Sequence, residues 1–190
     1  MTWLSKFQQY LNPFSRRFSP AELAMFDFLR QNPLFETLSN EELLNFLPHL
    51  YERTFAKDEV IYFRNDPSQA FYMIKKGRVM LALDTQDSFE KLVTLSRYHY
   101  FGEDALLTRR KRNYNAVSAK DDTKVYAIPH AHLMEVFDDH PKMHAKISKA
   151  LATVYEGQIG SIFRAYSRSF GFFDLGKASF ADFLEERKEL

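Results

Sequence analysis

The hydrophobic period of this chain changes twice, and the stretch between the changes decides what it can fold into. As far as Leu50 apolar residues recur every three or four positions, and from Tyr51 to Ile128 they alternate. Side chains alternate between the two faces of a strand, so a period of two marks sheets with one buried face. Tyr51–Phe55, Val60–Phe63, Phe71–Ile74, Val79–Leu83, Leu92–Leu95, Val117–Ala119 and Lys124–Ile128 read as short strands. Turn signals stand between them: Lys57-Asp58-Glu59, Asn65-Asp66-Pro67-Ser68, Lys76-Gly77, Asp84 to Ser88, and Asp121-Asp122. The one helical interruption falls around Glu103–Leu107, which disfavours a parallel α/β sheet. Seven or eight short strands with tight turns predict a mainly β fold with flanking helices, as a sandwich, barrel or jelly roll (a double-stranded β-helix).

Helices are expected on both sides. Trp3, Leu4, Phe7, Leu11 and Phe14 share one helical face, which Asn12-Pro13 ends. Ser19 is an N-cap with Pro20 at the first helical position, opening a helix through Arg30. Ser39 and Glu42 form a capping box for a helix that Pro48 ends. Beyond Pro129, His130–Phe137 reads as a short helix and Lys142–Ser167 as a long one, with Ile147, Leu151, Val154, Ile159, Ile162 and Tyr166 on one side. Gly157 and Gly160 cost that helix roughly 1 kcal/mol each against Ala, so they are expected to mark a bend or a close backbone approach. A tail rich in Phe follows (Phe170, Phe172, Phe173, Phe180 and Phe183), with Ser179 capping a last short helix.

Composition narrows the function. Twenty-six basic against 25 acidic residues give a net charge of +1, with no global excess to draw a nucleic acid or an anionic membrane. With Cys 0, disulfides, thiolate metal sites and cysteine nucleophiles are all excluded. No apolar run approaches the ~20 residues of a membrane-spanning helix, and the start lacks a secretory signal pattern. A cytoplasmic protein is the expectation. The Trp3–Phe14 helix has the amphipathic make-up of a membrane-surface helix, but packing against protein is preferred, so a membrane is disfavoured as a partner. No Gly-x-Ser-x-Gly, His-Glu-x-x-His or Walker sequence is present, so no enzyme activity is predicted. His130, His132 and Glu135 partly match a metal-binding cupin, yet the run enters a helix after Pro129, which favours capping or surface roles.

The chemistry concentrates in Phe101-Gly102-Glu103-Asp104-Ala105-Leu106-Leu107, followed by the cations Arg109, Arg110, Lys111 and Arg112. A Gly that opens a short helix exposes backbone N–H groups that suit a phosphate. A carboxylate beside it can accept from sugar hydroxyls, and an Arg some ten residues on can clamp the anion. A sugar-phosphate site and a solvated basic loop both fit these residues taken alone.

The wider chain resembles the cyclic nucleotide-binding domain family, in its catabolite-activator/FNR-like sensor form. Leu34 to Leu43 resembles the family's helical entry, Lys57 to Val79 its first strands, Phe101 to Arg112 its phosphate-binding cassette, and Ile128-Pro129 with the helices beyond its close. The resemblance covers about residues 28–155, leaving 1–27 as a helical extension and 156–190 as the end of the long helix and a Phe-rich tail. It implies a non-catalytic sensor that binds a cyclic nucleoside monophosphate, cAMP among the candidates, as a regulatory ligand and not as a cofactor. Carried over, the ligand-binding positions are Gly102 and the nearby amides including Ala105 for the phosphate, Glu103 for the ribose 2′-hydroxyl and Arg112 for the phosphate. Asn113 stands where a small hydroxyl or Ala is common.

There are departures from the family pattern. Asp58 and Asn65 replace glycines, although both residue types tolerate a left-handed turn. Asp104 replaces an apolar residue and brings a second carboxylate beside the anion position, where it is expected to repel an anion. One extra residue before Val117 leaves open which cation points inward. The long helix implies a homodimer like that of catabolite-activator regulators, with Thr153 and Ser161 as candidates to cap the base. The short, net acidic stretch after Ser167 implies no helix-turn-helix and no direct DNA binding, leaving an unidentified protein partner downstream. The alternative is a degenerate member of the family that serves as an interaction scaffold without a ligand.

Overall fold

The computed structural model describes residues 17–84, 89–107 and 110–170. The helix read over Trp3–Phe14 and the tail beyond residue 170 lie outside the described residues. The chain divides into two compact units, Met1–Ile147 and Ser148–Leu190.

The first unit opens with α1 (Pro20–Arg30), capped as its sequence dictates: the Ser19 hydroxyl accepts from Glu22 N at 3.2 Å and the Glu22 carboxylate accepts from Ser19 N at 2.7 Å. Helix α2 (Asn40–Leu44) carries the same box through Ser39 and Glu42 but runs shorter than its apolar pattern predicted. Pro48 has no N–H for the Leu44 carbonyl, so the chain leaves the α-helix at Asn45 and continues as a 3-10 turn over Leu47–His49. Glu42 also accepts from Lys146 at 2.7 and 2.9 Å, tying α2 to the start of the last helix.

Eight strands follow: β1 (Tyr51–Phe55), β2 (Val60–Tyr62), β3 (Ala70–Lys76), β4 (Arg78–Asp84), β5 (Phe89–Ser96), β6 (Tyr100–Phe101), β7 (Asn115–Ser118) and β8 (Thr123–Pro129). They form two four-stranded antiparallel sheets, ordered β1-β8-β3-β6 and β2-β7-β4-β5. This is the jelly roll the alternation predicted, with β6 added. Tyr62, Ile74, Val79, Leu81, Phe101, Ala116 and Val125 fill its interior. The other face of β3 is covered as well: Phe71 meets Phe35 with ring centroids 5.9 Å apart, and Phe35 meets Phe46 at 5.1 Å, both edge-on. Strand β3 is therefore shared by the roll and the helical layer, whose buried residues include Phe26, Leu29, Leu133 and Phe137.

Asp58 and Asn65 do adopt left-handed backbone, at φ 66° and 68°, so the turns survive the loss of the family's glycines. Asp122 (φ 53°) shares that conformation in the turn that Asp121-Asp122 marked, and Tyr98 (φ 72°) shares it without a turn signal in its sequence. Helix α3 (His130–Asp139) leaves β8 directly, and α4 (Pro141–Phe170) follows.

The second unit begins within α4 at Ser148. The helix runs without a break through Gly157 and Gly160. Among the described residues, a Cβ at Gly157 would meet nothing within 4 Å and one at Gly160 would meet only Arg164 of the same helix, so the expected close approach at these glycines is not found among them. Thr153 and Ser161 donate to the Lys149 and Gly157 carbonyls of their own helix. Ile159, Ile162 and Phe163 are exposed. Among the described residues no helix is long and apolar enough to cross a membrane.

Candidate ligand site

Gly102 ends β6 at φ 73° and caps a 3-10 turn over Glu103–Leu106. A side chain there would be strained, and a Cβ would stand 2.7 Å from Arg112 Nη1 and 3.1 Å from the Ala70 carbonyl oxygen. Glycine thus serves both the turn and the close passage of Arg112.

The question of which cation faces inward is answered by backbone pairing. Arg112 N donates to the Asp66 carbonyl and Asn65 N donates to the Arg112 carbonyl, both at 2.9 Å, while Ser68 N donates to the Arg110 carbonyl at 3.0 Å. This short ladder turns Arg112 into the protein and leaves Arg110 and Lys111 exposed. The Arg112 side chain is 1% exposed. Its Nη1 donates to Asp104 Oδ1 at 2.5 Å and to the Gly102 carbonyl at 3.2 Å, and Nη2 donates to the Ala70 carbonyl at 2.6 Å. Strand β6 pairs with β3 only at Tyr72 and Met73, so Ala70 lies beyond its end and its carbonyl is open to the guanidinium. The guanidinium carbon lies 4.1 Å from the Tyr62 ring centroid and 5.8 Å from that of Tyr72, which itself stacks on Phe101 at 4.9 Å. Nε, also buried, has no acceptor among the described residues.

Tyr114 holds the other side. Its hydroxyl donates to Glu103 Oε2 at 3.2 Å and accepts from Gly102 N at 3.3 Å. Burial pushes the Glu103 carboxyl above its ordinary range, with the neighbouring Asp104 adding to the rise. Burial likewise raises the phenols of Tyr62 and Tyr114 and pushes that of Tyr100 up to about 12, so all three stay neutral. Ala105 is fully buried, with its N–H bonded to the Gly102 carbonyl at 3.1 Å and its carbonyl facing His130 Nδ1 at 2.7 Å.

The raised Glu103 group gives a pH-dependent prediction. The folded state binds this proton more tightly than the unfolded chain does, so stability falls as pH rises from 4.5, the group's ordinary value, through its raised one. Glu103→Gln removes that loss while keeping an acceptor for Tyr114. The variant's melting temperature relative to the native protein is expected to be higher at about pH 8 than at about pH 4; a difference that does not change with pH refutes it.

Of the five positions carried over from the resemblance, Gly102, Glu103, Ala105 and Arg112 are brought together, while Asn113 is exposed. The sequence reading missed Tyr62, Tyr72 and Tyr114 as walls of the site, and saw in Asp104 a repelling charge where the structure shows a partner for Arg112. His130 bonds to the cassette turn, and the His132 ring lies tilted against that of His49, with centroids 4.5 Å apart.

Residues 52–140 match the family model of the cyclic nucleotide-binding domain. Over these residues, just under half of its length, the chain is similar to that family. The chain is 31% identical over 101 residues to the cyclic AMP receptor protein of Thermus thermophilus, covering 53% of this chain and 46% of that protein. It is 30% identical over 86 residues to the cAMP-dependent protein kinase type II regulatory subunit of Drosophila melanogaster, covering 45% of this chain and 23% of that one. The chain thus spans less than half the length of either relative. Among solved structures, the chain superposes on Thermus thermophilus catabolite activator protein with a TM-score of 0.59 at 24% identity, over 72% of this chain and 64% of that one. The N-terminal domain of a transcriptional regulator from Streptomyces coelicolor gives 0.62 at 22%, over 71% and 94%. These likenesses show the fold.

Proposed function

We propose that this chain is a non-catalytic regulatory module whose cyclic nucleotide-binding domain takes a cyclic nucleoside monophosphate between Gly102, Glu103, Ala105, Arg112 and Asn113. The observation that carries the reading is the inward Arg112, seated against Gly102 with one buried donor, Nε, lacking an acceptor. An anion with two free oxygens satisfies such a donor. Glu103, in the same turn, is the acceptor for ribose hydroxyls. The matched relatives named for cAMP agree with that class of ligand. The exposed Ile159, Ile162 and Phe163 support a homodimer through α4, which light scattering at several protein concentrations tests.

A second reading, an interaction scaffold without a ligand, is favoured by the internal satisfaction of the site. Tyr114 takes both Gly102 N and Glu103, and Asp104 takes Arg112. Titrating the whole chain with cAMP and cGMP while following its melting temperature separates the two. A ligand that binds the native state alone adds about 2.7 kcal/mol at 100 times its dissociation constant, a shift of several degrees for a chain of this size. A shift with one nucleotide supports the sensor; a cooperative melt that neither nucleotide moves supports the scaffold.

A further inference from the structure

The guanidinium of Arg112 is sealed from water, and the anion facing it belongs to the chain itself. A carboxylate accepts from a guanidinium as a phosphate does. Asp104 reaches it through Oδ1 at Nη1 and leaves Nε without an acceptor. Asp104 therefore grips the guanidinium through one nitrogen alone, while Nη2 is held by the Ala70 carbonyl. We propose that Asp104 is the resident ligand of the Arg112 anion seat, a built-in competitor that an entering phosphate must displace and hence the residue that sets which anions the site admits. The inference deepens the reading of the site as a nucleotide-phosphate seat and rests on it.

Two consequences follow from the charges and the tether. A cyclic phosphodiester carries one negative charge, as does the carboxylate, so the exchange leaves the charge beside Arg112 unchanged. Coulomb attraction gives the newcomer no advantage, and the tethered carboxylate competes at an effective concentration of about millimolar or above. What the newcomer adds is a second free oxygen, able to accept from a second guanidinium nitrogen. The seat thus favours a phosphoryl group that spans two nitrogens over an anion that grips one. Apparent affinity is also lowered by the fraction of time the seat is open, because the ligand binds only that state.

The test uses the full chain as native protein, Asp104→Ala and Asp104→Asn, with inorganic phosphate, cAMP and cGMP as probes. Melting temperature and calorimetric titration are the readouts. Both variants leave a buried cation without its anion and are expected to melt below the native protein, the Asn variant keeping the side-chain volume should the Ala variant fail to fold. Millimolar phosphate is expected to restore part of the loss in the variants and to leave the native protein unmoved. A cyclic nucleotide is expected to bind Asp104→Asn at least tenfold more tightly than native, as for a seat open less than about a tenth of the time. Phosphate that restores neither variant overturns the proposal, as does a nucleotide with equal affinity for native protein and Asp104→Asn. Phosphate rescue without any response to the nucleotides supports Asp104 as resident anion and refutes the nucleotide reading instead.

Discussion

Arg112→Ala is expected to lower the melting temperature by roughly 6 to 20 °C, from a loss of about 3–5 kcal/mol. The arginine is held by the Asp104 carboxylate, the Gly102 and Ala70 carbonyls and the faces of two tyrosine rings. Truncation removes all of them and leaves Asp104, whose side chain is 12% exposed, beside a cavity with no counter-charge. Removing one partner of a buried pair costs far more than removing both, because the cost lies in the uncompensated charge. The double variant Asp104→Leu with Arg112→Met keeps comparable volume without charge and is expected to recover most of the loss. Thermal melts of the two single variants and the double variant give the coupling directly. An Arg112→Ala protein that melts within a degree or two of native would show that the pair contributes nothing to the fold. This cost also bears on ligand experiments: loss of nucleotide binding in Arg112→Ala supports the seat only where the variant is shown to be folded at the assay temperature.

Gly77→Ala is expected to cost roughly 2–5 kcal/mol, the sum of a left-handed backbone penalty of about 1–2 and an overpacking term of about 1–3. Gly77 turns the chain from β3 into β4 at φ 91°, which carries it from one sheet to the other. A Cβ there would stand 2.7 Å from Thr123 Cα and closer still to Thr123 Oγ1. The obstacle is backbone, and Thr123 is itself anchored through its hydroxyl to the Lys120 carbonyl at 2.6 Å, so the neighbour has little room to yield. The same substitution at Gly157 carries the opposite sign. That residue lies inside a helix with nothing near its missing Cβ, so alanine there gains about 0.5–1 kcal/mol. Urea denaturation of both variants checks the contrast; a Gly77→Ala midpoint equal to native would mean that the turn relaxes freely.

Local signals in the sequence were sufficient for most of the fold. Ser19 with Pro20 and Ser39 with Glu42 cap their helices through bonds made within four residues, so nothing distant is needed to read them. The alternation in β8 is clear because one face of that strand is the more buried, whereas β3, covered on both faces, reads as a short apolar run. Strand β6 escaped because its two residues, Tyr100 and Phe101, are too few to show a period. The early end of α2 depends on one missing N–H at Pro48, which ended the pattern sooner than the apolar residues implied.

The candidate site was legible where its parts adjoin in sequence, as Gly102, Glu103 and Ala105 do. The inward turn of Arg112 was not, because it is imposed by backbone pairing with Asn65 and Asp66 from a distant loop. Nor was the role of Asp104. Reading it as a repelling charge assumed an empty pocket, whereas Tyr62, Tyr72 and Tyr114 come from three separate segments to close one around the ion pair.

His130 gives the cassette turn a mechanical address. Its backbone N–H holds the Gln69 carbonyl at 2.7 Å while its ring nitrogen Nδ1 bonds the Ala105 carbonyl, so the first residue of α3 is pinned to two segments of the roll at once. The second bond is donated by the ring's Nδ1–H, since the carbonyl oxygen it faces can only accept. A displacement of the turn that carries Asp104 therefore either drags the root of α3 or breaks this bond. Linkage runs both ways across such a joint: whatever body grips α3 in one of its positions alters the affinity of the anion seat by the same factor that occupancy of the seat alters its grip.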